Sequence, residues 1–129
     1  MTKAAIATAG APGAIGPYSQ AIATGGLLFV SGQIPLDPAS GEMVAGGIEP
    51  QTERVLENLG AILAAGGCSF ADVVKTTIFV VDLAHFATVN TIYGRAFTQP
   101  FPARATVQVA ALPRGALVEI EAIATIPTG

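Results

Sequence analysis

The chain has 129 residues and a formal net charge of −3; charged residues make up 12% of it and hydrophobic ones 51%. That length supports one domain, residues 1–129, since two would each be too small for a proper core. An acidic balance with no basic block argues against nucleic acid as the main ligand, and no apolar run approaches the ~20 residues that span a membrane.

The Gly/Pro/Ala-rich stretch Thr8–Pro17 has neither the dinucleotide-binding nor the P-loop glycine spacing and reads as an ordered loop of small residues. Ala21-Ile22-Ala23 and Leu27-Leu28-Phe29-Val30 flank Thr24-Gly25-Gly26, two strands joined by a tight turn. Asp37-Pro38-Ala39-Ser40-Gly41 is a turn cluster. Glu49 to Ala65 predicts a helix: Pro50 suits the first turn, Val55, Leu56, Leu59, Ile62 and Leu63 form one apolar stripe, and Gly66-Gly67 stops it. Ser69 and Asp72 are placed to cap a short turn. Lys75 to Val81 is rich in β-branched residues and reads as a buried strand.

Asp82 is an N-cap for a second helix running to about Thr98, with Phe86, Val89, Tyr93 and Phe97 on its packed face and Asn90 one turn from Phe86. Ala103 to Val109 alternates, with Arg104, Thr106 and Gln108 on one face. After the turn Leu112-Pro113-Arg114-Gly115, a last strand runs from Leu117 to Ile126. Its core face is Val118, Ile120, Ala122, Ala124 and Ile126, and Glu119 and Glu121 project from the other face. Two helices on one face of a mixed sheet give a two-layer α+β domain.

So few charges cannot cover the surface of a domain this small, so part of its apolar surface is expected to be buried against other subunits. The polar faces of the last two strands are the most informative feature. Arginine offers a planar fork that matches a carboxylate, and a desolvated glutamate can act as a base toward water. If those strands form a hairpin about Pro113-Arg114, Glu119 falls opposite Gln108 and not Arg104. The two charges would then line one pocket diagonally or meet across a subunit boundary. His85 reads as a helix-end residue and Cys68, without a basic neighbour, as a packed thiol. One cysteine rules out an internal disulfide framework, and one histidine leaves little for a zinc site. Residues 1–20 lack the charged-then-apolar pattern of an export signal, so a cytoplasmic protein is expected.

Six segments carry a family resemblance: Ala14–Gln20, Phe29–Pro35, Val74–Val80, Phe86–Asn90, Phe101-Pro102-Ala103-Arg104 and Val118–Ala124. Together, in this order, the chain resembles the Rid family, the reactive intermediate deaminases also called YjgF-like or L-PSP endoribonuclease-like. The resemblance implies a chorismate-mutase-like fold. It also implies a homotrimer whose sheets form a central barrel, with ligand clefts between subunits. The implied activity is hydrolysis of 2-imino acids, the tautomers of 2-aminoacrylate-type enamines, to 2-keto acids and ammonia, with no metal or organic cofactor. Carried over by position, Arg104 would clamp the substrate carboxylate and Glu119 would activate the attacking water. Tyr18, Ser31, Gly32 and Asn90 would line the cleft, together with Thr106, which stands where many members carry cysteine. The segment between Asn90 and Arg104 is shorter than in archetypal members, which bears on pocket shape. Two other functions fit the same scaffold: a non-catalytic protein that binds 2-keto acids or similar carboxylates, and an endoribonuclease. The acidic pI and lone His85 count against the latter.

Overall fold

The computed structural model describes residues 2–128. Its sheet has six strands: β1 (Ala4–Ile6), β2 (Ala21–Thr24), β3 (Leu27–Gln33), β4 (Val73–Val80), β5 (Ala103–Gln108) and β6 (Val118–Thr125), in the spatial order β1-β2-β3-β6-β4-β5. Helices α1 (Ile48–Ala65) and α2 (Phe86–Ala96) cover one side of it, in the two-layer α+β arrangement the sequence predicts. The β2–β3 turn forms as expected, with Gly25 and Gly26 both at positive φ (58° and 78°), a backbone that matches the twist of antiparallel strands.

The core lies between the helices and the inner sheet face. Val55, Leu59, Ile62 and Leu63 of α1 pack with Leu28, Ile78, Val80, Val118, Ile120 and Ala124 from the sheet, all at or near full burial. Gly66-Gly67 ends α1 where expected, and Ser69 and Asp72 cap a short 3-10 turn, with Asp72 Oδ2 accepting the Ser69 N–H at 2.8 Å. The second helical region is split. Asp82 caps a 3-10 turn over Leu83–His85 by accepting the Ala84 N–H, and α2 begins only at Phe86 and stops at Ala96. The strand β1 has no counterpart in the sequence reading; its three residues are too few for periodicity to register.

The last two strands correct the sequence reading. β5 and β6 are not neighbours. β4 lies between them, antiparallel to β6 and parallel to β5. The hairpin register between Glu119 and Gln108 therefore does not exist. Instead Arg104 lies beside Thr76, which lies beside Ala122, while Val107 lies beside Phe79, which lies beside Glu119. Paired residues share a face, so Arg104, Thr106 and Gln108 point to the helix side and Glu119 and Glu121 to the bare side. A diagonal meeting of Arg104 and Glu119 within one chain is thereby excluded.

Candidate active site

On the bare side, Glu119 faces a bulge in β3. The β3–β6 register slips between Val30 and Gln33, so Ser31 and Gly32 together oppose Glu121 alone. The slip brings the β3 backbone against the Glu119 carboxylate. A Cβ built on Gly32 would collide with Glu119 Oε2 and lie 2.9 Å from Cδ, so any larger residue here pushes the Glu119 carboxylate aside. Glu119 is half-buried. Burial pushes its carboxyl above the ordinary carboxylate range, and the negative charge of Glu121 adds to the shift.

These residues line a cleft of about 710 Å³ that also takes in Tyr18, Ile15, Ile34, Leu36 and Arg114. Ser31 Oγ donates to the Ser19 carbonyl at 2.6 Å, which leaves its lone pairs free to accept. Tyr18 is exposed, and its hydroxyl oxygen accepts the Ile15 N–H at 3.3 Å, leaving its own proton to donate. The Gly/Pro/Ala-rich loop is held by the buried side chain of Gln20. Its amide nitrogen donates to the carbonyls of Thr8, Ala11 and Pro12, and its Oε1 accepts the Thr8 N–H at 2.7 Å. The opposite wall is held by buried Asn58, whose Nδ2 donates to the carbonyls of Ile34 and Leu36.

On the helix side, at the sheet edge, stands a second group. Arg104 Nη1 donates to Asn90 Oδ1 at 2.7 Å. Its guanidinium carbon lies 5.1 Å from the Tyr93 ring centroid and 5.6 Å from that of Phe86, so two aromatic rings of α2 fix its plane. Tyr93 is in turn fixed by a 2.8 Å hydrogen bond between its hydroxyl and that of Thr76, and it stacks on Phe97. Burial raises the Tyr93 phenol, an effect opposed by the Thr76 bond and the Arg104 charge. Among the described residues the ion pair is Arg54–Glu57, so Arg104 is exposed with no carboxylate on it. Two residues on, Thr106 Oγ1 is buried without a hydrogen-bond partner.

Sequence reasoning thus named residues of both groups without seeing that they divide. Tyr18, Ser31, Gly32 and Glu119 come together on the bare side, and Asn90, Arg104 and Thr106 on the other. It missed the aromatic support of Arg104, although Phe86, Asn90 and Tyr93 recur at helical spacing. It also missed Arg114, whose only signal was a turn motif. His85 lies outside the residues that line the cleft, and Cys68 is buried, its Sγ 3.5 Å from the Thr125 carbonyl.

A two-layer α+β fold with a carboxylate cleft on the open sheet face and an exposed guanidinium at the sheet edge defines a class of small proteins. The comparisons identify which. The sequence model described as Endoribonuclease L-PSP matches residues 8–126. The chain is 60% identical to protein DfrA of Myxococcus xanthus, over 96% of each chain. It is 52% identical to the human 2-iminobutanoate/2-iminopropanoate deaminase, over 96% of this chain and 90% of that one. The crystal structure of the Rid-family protein YyfA from Yersinia pestis superposes with a TM-score of 0.94 at 51% identity, covering 97% of this chain and all of that one. The chain belongs to the Rid family.

Proposed function

We propose that the protein hydrolyses small 2-imino acids to 2-keto acids and ammonia, in a cleft that two subunits of a homotrimer complete together. The activity rests on relatives from human, mouse and cattle, all named 2-iminobutanoate/2-iminopropanoate deaminase and 51–53% identical to this chain. One observation carries the site: Arg104, free of any carboxylate, and Glu119, half-buried in a cleft, stand on opposite faces of one sheet. A second copy laid against the bare face would supply the missing half.

In this reading the guanidinium of Arg104 binds the substrate carboxylate, with its plane held by Asn90, Phe86 and Tyr93. Glu119 takes a proton from water as the water oxygen bonds to the carbon of the protonated imine, and the C=N electron pair moves to nitrogen, giving a neutral carbinolamine. Glu119 then returns that proton to the nitrogen, the C–N bond breaks as the hydroxyl oxygen forms the keto C=O, and the hydroxyl proton passes by way of Glu119 to the departing ammonia. A carboxyl raised toward neutrality suits both steps, accepting first and donating next. The imine carbon is already electrophilic, so placement and charge stabilisation suffice, and no covalent nucleophile is needed. Tyr18, Ser31, Gly32 and Thr106 line the pocket. The whole chain, 1–129, acts as one domain. Nucleic acid fits this cleft poorly, because its wall carries two carboxylates. Among the described residues no helix is long and apolar enough to cross a membrane. A cytoplasmic setting is part of the proposal, in keeping with a single unpaired, buried thiol.

Subunit complementation tests this reading. Arg104→Ala and Glu119→Gln should each be inactive alone in an assay that traps surviving 2-imino acid with semicarbazide. Co-assembled in equal amounts, they should recover about a quarter of the wild-type rate, since that share of clefts pairs an intact Arg104 with an intact Glu119. No recovery would overturn the shared cleft. If wild type consumes no imine but still binds 2-keto acids, and Glu119→Gln binds them equally, the protein is a carboxylate-binding module.

A further inference from the structure

Resting on that reading, we propose that Arg114 recruits the anionic substrate into the Glu119 cleft. Glu119 and Glu121 both line this cleft, and Arg114 is the one cationic side chain among the described residues that do. A wall bearing two carboxylates repels a 2-imino acid, which carries a carboxylate of its own. An exposed guanidinium on the same wall offsets that repulsion and raises the local concentration of the anion.

The backbone supports the assignment independently. Arg114 has φ 58° and ψ 23°, the one non-glycine residue at positive φ among those described. Glycine adopts this conformation freely, whereas a residue with a Cβ does so at a cost. Keeping arginine at such a point indicates a task for its side chain. The side chain is also placed. Nη1 donates to the Gly41 carbonyl at 2.8 Å, which ties the turn before β6 to the Asp37–Gly41 turn. Its other N–H donors make no hydrogen bond within the described residues, and neither cleft glutamate comes within ion-pair distance.

The test compares wild type, Arg114→Gly, Arg114→Lys and Arg104→Ala, measuring 2-oxobutanoate affinity and 2-iminobutanoate turnover at low and high ionic strength. Arg114→Gly should weaken affinity and raise KM about five-fold at low salt, the effect of one charge at contact distance in water. The loss should fall on kcat/KM and not on kcat, and should fade near ~0.5 M salt. Arg114→Lys should restore most of it. The melting temperature of Arg114→Gly should change little, because the ease of glycine at this φ offsets the lost hydrogen bond to the Gly41 carbonyl. Affinity unchanged at low salt, or a loss that is independent of salt and not restored by lysine, would overturn the recruiting role. If Arg104→Ala loses binding while Arg114→Gly keeps it, only this inference fails. If wild type neither binds nor turns over these compounds, the deaminase reading fails and this one with it.

Discussion

Glu119 and Gly32 work as a pair at the smallest scale. The bulge at Ser31–Gly32 exists where a carboxylate must sit against backbone, and a methyl group there would displace it. Gly32→Ala should therefore lower turnover about 100-fold, as misplacing a reacting group by about an ångström does, while far-UV circular dichroism stays native. The raised Glu119 carboxyl has two opposite pH signatures. As a base it must be ionised, so kcat/KM should fall with pH through a midpoint above the ordinary carboxylate range. For stability the sign reverses: the fold favours the protonated form, so its contribution is present in acid and is lost as pH rises through the folded-state value. Glu119→Gln should thus melt higher than wild type at neutral pH, with the difference closing near pH 4. A wild type that melts higher at neutral pH would show that the ionised carboxylate is not a burden there. That Tyr18, Ser31, Gly32 and Glu119 gather in one cleft was legible from motif and chemistry. The left-handed backbone of Arg114 was not, because an arginine in a turn looks ordinary until its φ is known.

Elements set which of these residues meet. Alternation along Ala103–Val109 and Leu117–Ile126 correctly assigned the faces within each strand, because side-chain period is a local property. It says nothing about neighbours, and the hairpin assumption failed there. The order strand, helix, strand over β4, α2 and β5 did hold the answer: a helical crossover is what parallel neighbours require. With β4 between them, β5 and β6 present their polar residues to opposite sides. The helix crossing from β4 to β5 also brings Tyr93 beneath Arg104, tied to β4 by Thr76. Tyr93→Phe should cost about 1 kcal/mol in urea unfolding by stranding the buried Thr76 hydroxyl, and should raise KM by loosening the ring under Arg104. An unchanged midpoint and KM would show that the pair is incidental.

Seen whole, the chain has one finished side and one unfinished. The helices seal the inner sheet face, while the outer face carries Ile22, Phe29 and Ile123 side by side and, nearer the other edge, Phe79 beside Val107, from five strands in all. Phe29 is 40% exposed and Val107 41%, unusual for a flat apolar surface in an isolated protein. The scarcity of charge in the composition pointed to this face before any strand was placed; composition alone does not locate it. If the proposed trimer forms through this face, Phe29→Glu should leave circular dichroism native, shift light-scattering mass from trimer to monomer, and abolish turnover, since clefts would lose their second half. A monomer that keeps full activity would refute the shared cleft.

In the proposed assembly the opposed faces of Arg104 and Glu119 also carry a genetic consequence. There, a chain would lend its guanidinium to one cleft and its carboxylate to another, and so take part in two active centres at once. A copy defective at both positions, yet still able to assemble, silences both centres it borders, including those furnished by healthy neighbours. Such an allele would be dominant over the normal one, and its harm would grow with its expression, whereas an allele that blocks assembly would be recessive.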